Sequence, residues 1–148
     1  MNSEIRFYRI NDAYGCFSNF AAYPVLIDGK LWPTSEHYFQ AQKFVGTDHE
    51  EAIRLEVSPM IAARMGRDRS KPFRSDWEEV KVDIMRKAVR AKFEQHAELA
   101  EILFATGEAK IVEHTTNDSY WGDGGDGSGV NMLGQILMEV REHIRAHR

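Results

Sequence analysis

Apolar and polar positions change their period along the chain, and each change marks an element. Glu4 to Ile10 (EIRFYRI) alternates in part and predicts a strand, with a turn over Asn11–Gly15 behind it. Val25 to Trp32 predicts a hairpin that turns at Asp28-Gly29. From Thr34 the period becomes helical. One helix is expected over about 34–45, closed by Gly46, and a second over Asp48–Val57. Ser58-Pro59 opens a short helix that runs to Met65 and stops at Gly66. Ser75, followed three residues later by Glu78, reads as a capping box for the longest helix, Trp77–Gln95. A helix over Ala97–Ala105 and a strand over Ala109–His114 follow. Then come a Gly- and Asp-rich loop over Thr115–Val130 and a last amphipathic helix over Met132–Ala146, with Asn131 as its cap. No repeat or linker interrupts this order. The expectation is one α+β domain over residues 1–148, mostly helical, with a small antiparallel sheet.

Length and charge narrow the functional classes. At 148 residues the chain is long enough to bury a substantial core. Its formal net charge of -4 supplies no whole-chain basic field for nucleic acid or membranes, so any phosphate recognition must be local. The single cysteine, Cys16, excludes an internal disulfide and fits a reducing compartment. It reads as a small buried residue rather than a nucleophile. No apolar run reaches the roughly 18 residues of a membrane span, and the first residues carry no signal-peptide core. A cytoplasmic protein without a membrane partner is expected.

The candidate chemistry begins at Trp32–Phe44 (WPTSEHYFQAQKF). Thr34 or Ser35 can cap a helix there, and Glu36 falls in its first turn, where the helix dipole favours a carboxylate. Glu36, Gln40 and Lys43 share one face, while Tyr38, Ala41 and Val45 suit a core. A carboxylate, an amide and an amine on one stripe make a candidate site. The plain alternative is a solvated polar face.

The Gly-rich loop, Asn117 to Gly129, can bring backbone N–H groups close to an anion, and it leads into a helix start. It matches no standard phosphate-loop or calcium-loop spacing. Arg64, Arg67, Arg69, Lys71 and Arg74 form a basic stretch suited to a phosphate, with a solvated charge run as the alternative. The six histidines show no metal-ligand spacing, so no metal and no cofactor are expected. Glu36 and Asp118 are the carboxylates in the densest polar surroundings. A pair of carboxylates flanking a bond is the usual equipment for glycosidic cleavage, but spacing alone does not bring these two together.

Several segments then align with one pattern: FSNF at Phe17–Phe20, WPTSEHYFQAQKF, ARMGRDRSKP at Ala63–Pro72, MRKAVRAKFEQH at Met85–His96 and HTTNDSYWGDGGDGSGVNMLG at His114–Gly134. Together they resemble the NADAR family and its YbiA-type bacterial branch, over nearly the whole chain. The resemblance implies an N-glycosidase. Its substrate would be a phosphoribosylated aminopyrimidine intermediate of riboflavin biosynthesis, cleaved to ribose 5-phosphate and a pyrimidine. Related members act on ADP-ribose joined to guanine, which leaves ADP-ribosylated nucleic acid as a second substrate class and a nucleotide-binding module as a third reading. No obligate protein partner is implied. Carried over, the site consists of Glu36, Asp118 and Trp77. Trp77 would stack on the base. Glu36, Asp118 or both would move protons and stabilise an oxocarbenium-like sugar; a second route, left open by the sequence, has the Lys43 amine form an imine with the opened ribose. Asn19, Arg67, Arg69, Trp121, Gly122 and Asp123 are the further candidates for holding ribose and phosphate.

Overall fold

The computed structural model describes residues 3–148. The fold is α+β, with six helices and four short strands among the described residues. The strands are β1 (Glu4–Phe7), β2 (Val25–Ile27), β3 (Lys30–Trp32) and β4 (Lys110–Glu113). The helices are α1 (Ser35–Ala41), α2 (Asp48–Arg54), α3 (Pro59–Met65), α4 (Trp77–Gln95), α5 (Ala97–Ala105) and α6 (Met132–Ala146). The chain divides into two compact units. One takes residues up to Ala21 together with Phe93–Arg148, and the other takes Ala22–Lys92.

In the Ala22–Lys92 unit the hairpin forms where the sequence places it. Val25 pairs with Trp32 and Ile27 with Lys30 in antiparallel register. Asp28 and Gly29 both take positive φ, 54° and 80°, as a tight two-residue turn requires. Because side chains alternate across a strand, Val25, Ile27 and Trp32 go inward and Leu26 and Leu31 outward. The inward set joins Tyr38, Ala41 and Phe44 from α1 and the turn after it, with Ile53, Ala62 and Ala88. Val45, expected among the core residues, is 46% exposed, because α1 ends at Ala41 and tightens into a 3-10 turn over Gln42–Phe44. Helix α4 has its predicted bounds, but Asp76 rather than Ser75 precedes it, and the Asp76 backbone carbonyl accepts from the N–H groups of Glu79 and Val80.

The other unit holds the second strand pair. Here β1 and β4 run parallel, Glu4 opposite Lys110 and Phe7 opposite Glu113. The antiparallel expectation therefore holds for the hairpin and not for this pair. Phe7, Phe17 and Phe93 pack ring to ring, and Ile111 and Val112 bury against a core that includes Leu133, Ile136 and Val140. Asn131 caps α6 in an unexpected way. It sits in the left-handed region, φ 55°, and makes no side-chain bond to its own helix. Its carboxamide instead accepts from Glu113 N–H and donates to the Ile111 carbonyl, both at 2.9 Å. In effect it serves β4 as a third strand would.

Candidate active site

Helix α1 sets the site in the Ala22–Lys92 unit. Thr34 caps it: Oγ1 accepts from the His37 backbone N–H at 3.1 Å. The His37 ring is fully buried between Thr34 Oγ1 and the Glu56 carbonyl, both at 2.7 Å. A carbonyl only accepts, so Nε2 carries the proton and Nδ1 receives the Thr34 hydroxyl. Burial pushes the His37 pKa down, against the pull of the Glu56 bond, and this favours that neutral ring. The start of the helix is therefore pinned from two sides, and Glu36 is pinned with it.

The solvated-face alternative does not survive. Glu36 and Gln40 are each only 8% exposed. One helical turn apart, they meet directly: Gln40 Nε2 donates to Glu36 Oε2 at 2.7 Å. Lys43 lies in the 3-10 turn. Its Nζ reaches the Gly66 carbonyl at 3.4 Å and stands 5.6 Å from the Trp77 ring centre and 5.8 Å from that of Phe39. Burial among these groups lowers its pKa to about 8. The Glu36 charge opposes that shift, while Arg69 and Arg67 add to it. An amine so placed is partly neutral near physiological pH and can act as a nucleophile.

Trp77 opens α4 and is 6% exposed. Phe39 packs against it edge to face at 5.0 Å and Phe73 at 6.3 Å. This is a core position as much as a wall for the Lys43 amine. The basic stretch divides by role. Arg74 is structural: its backbone N–H and guanidinium bond the Lys43 and Gln42 carbonyls, and it grips Asp76 with two nitrogens. Arg69 stacks on Phe73 at 3.9 Å, and Arg67 is exposed. These two are the cations whose charges reach Lys43.

The remaining candidates lie in the other unit. Asn19 is buried. Asp118 Oδ1 accepts from the N–H groups of Tyr120 and Trp121 at 2.9 and 2.8 Å, which shapes the turn. Asp123 is committed to the loop on both oxygens, Oδ2 to His114 at 2.7 Å and Oδ1 to the Thr115 and Gly125 N–H groups. Burial pushes its pKa up, but those bonds together outweigh burial and hold it at about 2. Gly122 is a packing glycine, since a Cβ there would meet the Glu113 and Asp118 carbonyls at 2.9 Å. The helix start after this loop does not await an anion. The N–H groups of Asn131, Met132 and Leu133 are taken by the carbonyls of Gly122, Tyr120 and Trp121. The loop caps the helix with its own backbone, and the expectation of an anion site there is corrected.

The model of the NADAR domain matches residues 6–145. The chain belongs to the NADAR family. N-glycosidase YbiA of Escherichia coli strain K12 is 66% identical over 140 residues, covering 95% of this chain and 88% of that one. The NMR structure of the E. coli protein YbiA superposes with a TM-score of 0.91 at 63% identity, covering 99% of this chain and 88% of that one. Riboflavin biosynthesis protein VVA0006 of Vibrio vulnificus is 42% identical over 99% of this chain, which spans 40% of that longer protein.

Sequence reasoning passed over two residues of this NADAR chain. His37, whose spacing says only that no metal is expected, fixes the start of the helix that carries Glu36. Gly66 was read only as a helix stop. The signal for His37 was present in the Thr-x-x-His spacing at a cap. None existed for Gly66, whose neighbour Gln40 is remote in sequence.

Proposed function

We propose that this N-glycosidase hydrolyses the C1–N bond of a phosphoribosylated aminopyrimidine, releasing ribose 5-phosphate and the pyrimidine. The observation that carries the reading is Lys43, an amine lowered to about 8 within reach of the charge on buried Glu36. C1 of a ribosylamine is at the aldehyde oxidation level, and an amine beside a carboxylate suits that carbon. Ring opening places a C=N bond at C1. The Lys43 amine adds there, its two protons pass by way of the Glu36 carboxylate to the aminopyrimidine nitrogen, which departs, and the sugar remains as an imine on Nζ. Water then adds, gives its proton to the Glu36 carboxylate, and ribose 5-phosphate leaves as the amine is restored. Arg67 and Arg69 are the proposed holders of the phosphate, and Trp77 the wall against the base. The riboflavin pathway named for the Vibrio relative supports the aminopyrimidine as substrate, and the lone cysteine accords with a cytoplasmic setting.

Freshly generated 5-amino-6-ribosylaminouracil 5′-phosphate, incubated with purified protein, should yield ribose 5-phosphate. Release of ADP-ribose from ADP-ribosylated guanine, with no ribose 5-phosphate from the aminopyrimidine, would move the assignment to that substrate. Retention of either compound unchanged would make the chain a binding module. Asp118 is a proposed contributor to turnover as well as a turn residue, and Asp118→Asn separates its two roles. The amide keeps the oxygen that caps Tyr120 and Trp121 but loses the charge. Turnover should fall about 10²-fold or more with melting unchanged. Full activity would leave Asp118 a turn residue alone.

A further inference from the structure

The Gln40 carboxamide is satisfied at one end only. Nε2 donates to Glu36, while Oε1 is buried without a hydrogen-bond partner. An unpaired buried acceptor is costly, so some constraint keeps the group as it is. One constraint is Glu36 itself. Turning the carboxamide over would set its oxygen against an ionised carboxylate.

The other constraint is Gly66. A Cβ at that position would lie 1.9 Å from Gln40 Oε1, 2.7 Å from Cδ and 3.0 Å from Cβ. Nothing in the backbone there calls for glycine. Gly66 closes α3 at φ -65° and ψ -18°, ordinary helical values. Alanine in a helix is favoured over glycine. What the missing side chain provides is room for Gln40 to lie flat against the end of α3. The carbonyl of the same residue receives Lys43 Nζ, so Gly66 borders Lys43 as well as Gln40.

We propose that Gln40, seated on Gly66, is the positioning residue that holds the Glu36 carboxylate in its reactive setting, and that position 66 is glycine for that reason. The inference rests on the reading of Glu36 as the proton-transferring group. Residues that act through one another give non-additive effects. Gly66→Ala should therefore act almost wholly by displacing the Gln40 carboxamide.

The test is a cycle of Gly66→Ala, Gln40→Ala and the double variant, read as kcat and KM with thermal melting alongside. Each single change should lower kcat about 10- to 100-fold, the scale of a misplaced reacting group, with KM little changed. The double variant should be no slower than Gln40→Ala, because the carboxamide that the new methyl would strike is already gone. Losses that multiply in the double variant overturn the proposal. Gln40→Met fills the same space without a donor and carries the test if Gly66→Ala folds poorly. It should lose as much as Gln40→Ala, and a near-normal rate would show that Gln40 only packs. Glu36→Gln serves as the control for the underlying reading. If that variant stays active, the role of Glu36 fails. If it is dead while the cycle is additive, only the positioning role fails.

Discussion

Replacing Glu36 by Gln should abolish turnover while leaving the fold intact. The substitution keeps shape and volume, and the position is already lined by an amide donor, Gln40 Nε2 at 2.7 Å. A neutral amide can accept that bond through its oxygen, so the local packing has no reason to change. What disappears is the capacity to give and take a proton. A positioned acid or base contributes about 10²–10⁴-fold, and Glu36 is proposed to act in both halves of the reaction, so the loss should lie at or beyond the upper end. Ribose 5-phosphate release under single-turnover conditions, beside a melting curve that matches the wild type, is the measurement. A rate within a few-fold of normal would remove Glu36 from the chemistry.

Lys43 should give the second large effect, and it has a pH signature. With the amine at about 8, the reactive neutral form grows as pH rises toward and through that value. Wild-type kcat/KM should therefore climb from pH 6 to pH 8 and level above it, reporting the amine of the unliganded enzyme. Lys43→Arg keeps a cation but offers no neutral amine in this range. It should lose about 10³-fold or more, on the scale of losing a covalent nucleophile, and its profile should lack the limb near 8. Borohydride added during turnover should fix the sugar to Lys43 in the wild type and to nothing in the variant. A variant that retains the rate would favour direct attack by water.

The same lysine weakens the fold at neutral pH. Its pKa is lower folded than the ordinary 10.5 of the unfolded chain, so between these values the unfolded state binds more protons. Stability should rise as pH increases from about 8 to 10.5, and the full cost of the buried charge is felt below 8. Lys43→Met removes that charge and should melt no lower than wild type at pH 7 while being inactive.

What the sequence made legible follows from how local each cause is. The hairpin turn at Asp28-Gly29, the Thr34 cap and the bounds of α4 depend on neighbours within a few positions, and they stand where the pattern puts them. The early end of α1 was not legible. Its tightening over Gln42–Phe44 goes with tertiary bonds: Glu50 takes the Gly46 N–H, and Arg74 takes the Gln42 and Lys43 carbonyls. The face shared by Glu36 and Gln40 could be read from helical spacing, but their burial could not. Neither could the parallel sense of β1 and β4, which pairs segments a hundred residues apart. The aromatic cage of Lys43 draws on Phe39 in α1 and Trp77 at the head of α4.

The way Asn131 closes β4 has a consequence for where this chain can tolerate change. Residues 129–131 are held at every step: Gly129 N–H by Asp123, Val130 by Ser119, and Asn131 by Gly122 and by both strand groups. The tip at Asp126–Ser128 is exposed and bonds only within itself, in the contacts from Ser128 to Asp126. Added residues, a protease site or a tag would be absorbed at that tip, where no anchored backbone has to move. The same insertion two or three positions later would pull the amide out of the strand edge and unseat the last helix. The loop thus contains one point suited to engineering, and its far end is as constrained as a core strand.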